Sequence, residues 1–157
     1  MTPKSLLSRA EAVSNKEEFT EGSCFQEILP DSMHHDNPQA IERVVFCSGK
    51  VFYDLDKYRK ENGITNAAVI RVEQLYPFHS ELLKAVVGQF TNASKFVWCQ
   101  EEPKNMGAYT FVAPRLADTL ESHIRYSGRK SSASPATGSK AMHTREQKAL
   151  LEGAFNV

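Results

Sequence analysis

The sequence predicts an α/β fold: a three-layer arrangement in which a mostly parallel sheet lies between helices. Two observations carry this. Short apolar runs at Val44-Val45-Phe46-Cys47, Ala67-Ala68-Val69-Ile70-Arg71-Val72 and Lys95-Phe96-Val97-Trp98-Cys99 have the length and β-branched character of buried strands. Stretches with helical spacing separate them, so strands recur about every 25 residues, the rhythm of βα units joined by right-handed crossovers.

Taken in order, Thr2-Pro3-Lys4-Ser5-Leu6-Leu7 predicts a short helical turn with Pro3 near its start. Ser14-Asn15-Lys16-Glu17 fits a capping box, and Gly22 ends the turn that follows. Phe25 to Leu29 is expected to form a short strand, and Pro30 to Pro38 a surface loop. After the Val44 strand, Ser48-Gly49 makes a tight exit. Val51, Phe52, Leu55 and Tyr58 then share one helical face, which Asn62-Gly63 stops. Glu73 to Phe78 is a loop, and Leu82, Leu83, Val86, Val87 and Phe90 form the next helical stripe. The Lys95–Cys99 strand runs into a polar loop, Gln100-Glu101-Glu102-Pro103-Lys104-Asn105-Met106-Gly107. A helix over 106–122 follows, with Pro114 expected to kink or restart it. His123-Ile124-Arg125-Tyr126 is a last strand, 127–140 a loop, and Thr144-Arg145-Glu146-Gln147 a capping box opening a terminal helix. Leu150, Leu151, Ala154 and Phe155 are that helix's apolar side.

The bulk numbers set limits. A length of 157 residues suits one core. Hydrophobic content of 41% and charged content of 24% are those of a globular domain. Lys+Arg and Asp+Glu both number 19, so no net field draws the chain to nucleic acid or an anionic membrane. No apolar run approaches the roughly 18 residues of a membrane span, and Ser8-Arg9 interrupts Leu6-Leu7 before a signal core can form. Cys24, Cys47 and Cys99 are widely spaced, with no Cys-x-x-Cys pair for structural zinc. All three are expected to be reduced packing residues of an intracellular protein.

Several residues invite chemistry. Adjacent residues at a strand end point to opposite sides, so Glu101 and Glu102 are not an acid/base pair sharing one site. The loop is instead expected to contact another domain or subunit through Gln100, Glu101, Glu102, Lys104 and Asn105. His34-His35-Asp36 lacks the further ligands a metal needs. His143 is expected to be structural. Ser48-Gly49-Lys50 resembles the end of a phosphate loop without its upstream glycine. Arg125, Arg129 and Lys130 form the densest basic cluster and are candidate anion contacts.

Seven segments in order carry a specific resemblance. They are Thr2–Leu7, Cys47-Ser48-Gly49-Lys50-Val51-Phe52-Tyr53-Asp54-Leu55, Arg71-Val72-Glu73-Gln74-Leu75-Tyr76-Pro77-Phe78, Trp98 through Gly107, Tyr126-Ser127-Gly128-Arg129, Ser132-Ala133-Ser134-Pro135-Ala136-Thr137-Gly138, and His143 with Glu146-Gln147. Together they closely resemble the C-terminal domain of the thiamine-diphosphate-dependent decarboxylase component of 2-oxoglutarate dehydrogenase, over nearly the whole chain. The resemblance implies a transketolase-type C-terminal fold and a homodimeric parent enzyme. That parent decarboxylates 2-oxoglutarate on thiamine diphosphate with magnesium, and hands the succinyl group to lipoamide on the dihydrolipoyl succinyltransferase component. It also implies a cytoplasmic setting in a bacterium or the mitochondrial matrix in a eukaryote. Family enzymes are several times longer, and this chain has no Gly-Asp-Gly segment for the diphosphate and magnesium. The chain is therefore expected to be an isolated terminal domain that binds no cofactor itself. Residues 1–40 would be a lead-in from the preceding domain and 41–157 the α/β domain. Ser132–Gly138 favours the 2-oxoglutarate branch over the related 2-oxoadipate enzymes. Some family members respond to adenine nucleotide or acyl-CoA effectors, so an effector-binding module is the alternative expectation.

Overall fold

The computed structural model describes residues 3–33 and 37–156. Thr2 and the His34-His35-Asp36 triplet lie outside them.

The apolar runs form a five-stranded sheet: β1 (Ile28–Leu29), β2 (Arg43–Cys47), β3 (Ala67–Val72), β4 (Lys95–Pro103) and β5 (Ile124–Arg129), in the order β1-β3-β2-β4-β5. Strands β2 to β5 are parallel, and β1 runs antiparallel to β3. Four helices cover the faces: α1 (Val51–Glu61), α2 (Ser80–Val87), α3 (Tyr109–Leu120) and α4 (Lys140–Asn156).

Two cores result, because inner strands of a parallel sheet are apolar on both sides. Val44, Phe46, Ile70, Val72, Phe96 and Trp98 meet Leu83 and Val87 of α2 and Val112 and Leu116 of α3. Val45, Val69 and Cys99 meet Val51, Phe52 and Leu55 of α1 and Leu150, Ala154 and Phe155 of α4. Of the expected strands, Val44–Phe46, Val69, Ile70, Val72 and Phe96–Trp98 are all buried, whereas Arg71 is half-buried and Lys95 exposed. Val97 sits on β4 between β2 and β5 and is 1% exposed, so Val97→Ala is expected to cost about 2 kcal/mol. Urea denaturation reads this directly; a loss below about 0.5 kcal/mol would make the strand peripheral.

Several boundaries differ from expectation, each for a local reason. Only Ile28 of the 25–29 stretch turns inward, and Phe25 is exposed, so β1 is two residues long. This strand lies ahead of residue 41 and still belongs to the sheet. The N-terminal capping box is Asn15 with Glu18, one residue later than expected, around a 3-10 turn at Lys16–Phe19. Pro114 lies within α3, which continues through it. α4 begins at Lys140, with Ser139 Oγ 3.5 Å from the Met142 amide, so Thr144 is inside the helix. Its hydroxyl donates back to the Lys140 carbonyl at 3.0 Å instead of capping. His143 likewise lies on α4. Cys47 and Cys99 are buried, but Cys24 is exposed and is not a packing residue.

Candidate functional site

The chain leaves β2 toward β3 on one side, then crosses back so that β4 flanks β2 on the other. The strand order therefore reverses between β2 and β4, and a crevice opens at their carboxyl ends, the usual place for contacts in open α/β sheets. Ser48-Gly49-Lys50 leaves β2 here, and Gln100-Glu101-Glu102 ends β4. Gly49 takes φ +67°, the left-handed conformation that the tight exit into α1 needs.

β4 does not stop at Cys99. It runs on through Gln100, Glu101 and Glu102 to Pro103, with a register shift against β5 between Cys99 and Pro103. β5 correspondingly extends through Ser127 and Gly128 to Arg129. Polar composition suggests a loop, but strand pairing with β5 and one buried side chain hold this segment in the sheet. That side chain is Gln100. Its Oε1 accepts from Trp98 Nε1 at 2.9 Å and from the Tyr109 amide at 3.0 Å. Its Nε2 donates toward the carbonyls of Met106, Pro103 and Glu102 at 2.8, 3.2 and 3.3 Å. Gln100 is 4% exposed, with both ends of its amide bonded inside the chain.

The two carboxylates do diverge. Glu101 turns to the α1 and α4 side, where its Oε1 lies 2.6 Å from Lys50 Nζ, a salt bridge across the crevice. Lys50 also stands 3.5 Å from Asp54, whose carboxylate accepts from Arg9 at 2.9 Å and Gln147 at 3.0 Å. Burial alone would lower the Lys50 pKa; the hydrogen bond and charge of Glu101, with Asp54, outweigh it and hold the ammonium above its ordinary value. Glu102 is exposed at the edge. Lys104 places its ammonium over the rings of Tyr109 and Tyr126, at 5.8 and 5.7 Å. Asn105 exchanges two 3.0 Å hydrogen bonds with the Ser132 backbone, tying the turn after β4 to the 131–139 loop.

The Tyr126 hydroxyl lies 2.8 Å from the Arg129 carbonyl and 3.0 Å from that of Glu102. Burial is the main cause that raises its pKa, to about 12. Gly128 lets this ring approach: a Cβ there would lie 2.4 Å from the hydroxyl. Burial also raises the Cys47 and Cys99 thiols, which keeps them protonated and unreactive.

The basic trio does not converge as a whole: Arg129 and Lys130 line one cavity of about 650 Å3 with Arg145, and Arg125 is not among its lining residues. Arg125 and Arg129 are four strand positions apart, roughly 13 Å. Arg129 is spent on Glu146 at 2.7 Å and the Pro135 carbonyl at 3.0 Å. Lys130 is exposed beyond them. The three are close in sequence, but an extended strand spreads what a helix would gather. Beside Arg129, the 135–140 loop and α4 enclose a cavity of about 510 Å3 that Glu101, Glu102 and Glu146 also line, so its charge is mixed.

Among the described residues, no three His, Cys, Asp or Glu side chains stand close enough to hold a metal ion. Among them too, no helix is long and apolar enough to cross a membrane. Sequence reasoning missed Lys50 and Asp54 as partners. The signal was there: Lys50 and Asp54 are four apart at the start of a helix, one strand away from Glu101.

A family model described as 2-oxoglutarate dehydrogenase C-terminal matches residues 13–155. The chain is 46% identical over 158 residues to a 2-oxoglutarate dehydrogenase E1 component of Cupriavidus necator, covering 99% of this chain and 16% of that protein. Its identity to the E1 component of Azotobacter vinelandii is 43% over 162 residues, covering 100% of this chain and 17% of that protein. Among solved structures, a split-gene transketolase described as an inactive beta4 tetramer superposes with a TM-score of 0.52 at 17% identity. The match covers 73% of this chain and 38% of that one and supports the transketolase-like fold.

Proposed function

The chain belongs to the 2-oxoglutarate dehydrogenase C-terminal family, and from that premise we propose that it serves as the C-terminal assembly domain of a 2-oxoglutarate dehydrogenase. The observation that carries this is a family match spanning 13–155 in a chain that spans about one sixth of its curated relatives. The parent enzyme would decarboxylate 2-oxoglutarate on thiamine diphosphate and pass the succinyl group to lipoamide of the succinyltransferase component. The names of its relatives favour 2-oxoglutarate over 2-oxoadipate. No chemical step is assigned to the residues of this chain. Residues 1–40 serve as the lead-in from the preceding domain, with β1 inside them pairing to β3; Leu7, Val13, Phe19 and Phe25 ahead of β1 are all exposed.

Assembly runs through the carboxyl edge of β4, with Glu102, Lys104 and Asn105 facing another domain or the second subunit. Glu101 supports that edge from inside through Lys50. The Glu102→Gln change in the full-length enzyme is expected to weaken the dimer by about tenfold or more, as when one partner of a desolvated charge contact is removed. Glu101→Gln instead lowers domain stability by about 1 kcal/mol or less, because its pair with Lys50 is partly exposed. Sedimentation of the full-length variants and thermal melting of the 157-residue chain separate the two effects. An unchanged dimer at nanomolar concentration for Glu102→Gln would sink the assembly role of this edge.

A further inference from the structure

On the α3 side of β4 lies a second cleft, about 450 Å3 in volume, lined among others by Leu75, Tyr76, Trp98, Glu102 and Phe111. Its walls are aromatic. Tyr76 is 80% exposed and meets Phe111 edge-on, with ring centroids 6.4 Å apart. A large aromatic ring held this far out in water, beside a formed cleft, is a surface awaiting a contact.

Glu102 stands at the rim. Among the described residues, no hydrogen bond or ion pair engages its carboxylate. Its neighbour Glu101 is neutralised by Lys50 on the far side of the strand, and the Lys104 ammonium sits over Tyr109 and Tyr126. Gln100, which also borders the cleft, has its amide committed inward. The cleft therefore offers aromatic surface and one uncompensated negative charge.

That combination suits a group that is apolar along its length and cationic at its tip. Arginine fits better than lysine. Its planar guanidinium can stack on an exposed ring while its N–H fork meets a carboxylate. The chain itself shows the stacking half of this geometry on one of the same rings, by a residue that does not line the cleft: the Arg115 guanidinium lies 3.6 Å from the Phe111 ring centroid. We propose that the Tyr76–Phe111–Glu102 cleft receives an arginine side chain from a partner polypeptide, with the guanidinium stacked on the Tyr76 ring and its N–H fork on the Glu102 carboxylate. This rests on the assembly reading above and names what the partner brings to that edge.

Trp98 is the single tryptophan of the chain and lines the cleft, so its indole N–H signal reports on occupancy. The test titrates the 157-residue chain with N-acetylarginine amide and, separately, with the neutral isostere N-acetylcitrulline amide, followed by NMR. The arginine probe is expected to shift Tyr76, Trp98 and Phe111 signals saturably, with citrulline about fivefold weaker or more, the scale of one partly exposed charge contact. Glu102→Gln should bring arginine down to the citrulline level, and Tyr76→Ala should weaken both probes. Each substituted side chain is exposed, so the variants should melt cooperatively near the parent temperature. Equal binding of the two probes, insensitivity to Glu102→Gln, or no saturable shift at roughly 50 mM probe, past the range one side-chain contact supports, each overturns the proposal. If the probe fails while Glu102→Gln still weakens the full-length dimer, the assembly reading stands and the arginine receptor falls. If arginine binds and the dimer is intact, the receptor stands and its partner lies outside the dimer.

Discussion

Replacing Arg59 with alanine is expected to cost the chain about 3–5 kcal/mol, the range found when one member of a buried ion pair is removed. The side chains of Arg59 and Asp31 are 0% and 2% exposed. Arg59 Nη1 and Nη2 donate to the Asp31 carboxylate at 2.5 and 2.8 Å. Nη2 also donates to Asp56 at 2.8 Å, and Nη1 to the Ala67 carbonyl at 3.2 Å. Asp31 further accepts from the Val69 and Met33 amides, at 2.8 and 3.0 Å. The cluster thus fastens the segment after β1 to α1 and to the outer side of β3. Burial alone would lower the Arg59 pKa, and hydrogen bonds and charge from Asp31 and Asp56 reverse that. Arg59→Ala takes from the buried Asp31 carboxylate the guanidinium that it meets through two hydrogen bonds. The joint change Arg59→Met with Asp31→Leu should cost less than Arg59→Ala alone, because it removes the buried charge with its partner. Urea denaturation of Arg59→Ala, of Arg59→Met and Asp31→Leu singly, and of the joint variant decides this. Additive losses would show that the two side chains act independently.

This cluster also shows where the sequence stops being informative. The helical face Val51, Phe52, Leu55, Tyr58 was plain from its spacing, and Arg59 stands four residues after Leu55 on the same stripe. A charge on a buried stripe announces a buried partner, but not which one: Asp31 is 28 residues away in an irregular segment. The strand cores were legible because a parallel sheet demands apolar residues on both faces, and Val44–Phe46, Val69–Ile70 and Phe96–Trp98 leave no polar face to expose. The carboxyl ends of β4 and β5 were not legible. Gln100, Glu101, Ser127 and Arg129 have loop composition, and what keeps them in strands is pairing across the sheet and inward hydrogen bonds. The opposite sides taken by Glu101 and Glu102 followed from strand alternation alone. Their partners, Lys50 for one and an open cleft for the other, depend on a crossover that brings β2 beside β4.

Gln100 is expected to be the most costly single polar residue at this edge. Removing its amide orphans the Trp98 indole N–H and the first amide of α3, each buried donor costing about 1–3 kcal/mol when left unpaired. The replacement decides how much is felt. Gln100→Ala opens space toward the adjoining cleft, where water can enter and restore part of the bonding. Gln100→Leu fills the space with methyl groups and excludes that water, so it should lose about 3 kcal/mol or more and exceed the alanine loss. Gln100→Glu isolates the donor side of the amide. The Nε2 group faces the carbonyls of Met106, Pro103 and Glu102, and an ionised carboxylate placed there has acceptors only. Its folded-state pKa is then raised above the unfolded value of about 4.3. A group of that sign is least costly below its unfolded pKa, and the variant loses stability relative to the parent as pH rises through the folded pKa. Acidification from neutral pH toward about pH 5 should therefore narrow the gap between Gln100→Glu and the parent chain. Urea midpoints at the two pH values, with hydrogen exchange at the Tyr109 amide, measure both halves. A Gln100→Leu loss within about 0.5 kcal/mol, the range of surface changes, or a Gln100→Glu gap that does not shrink on acidification, would show that this amide does not brace the end of β4 against α3.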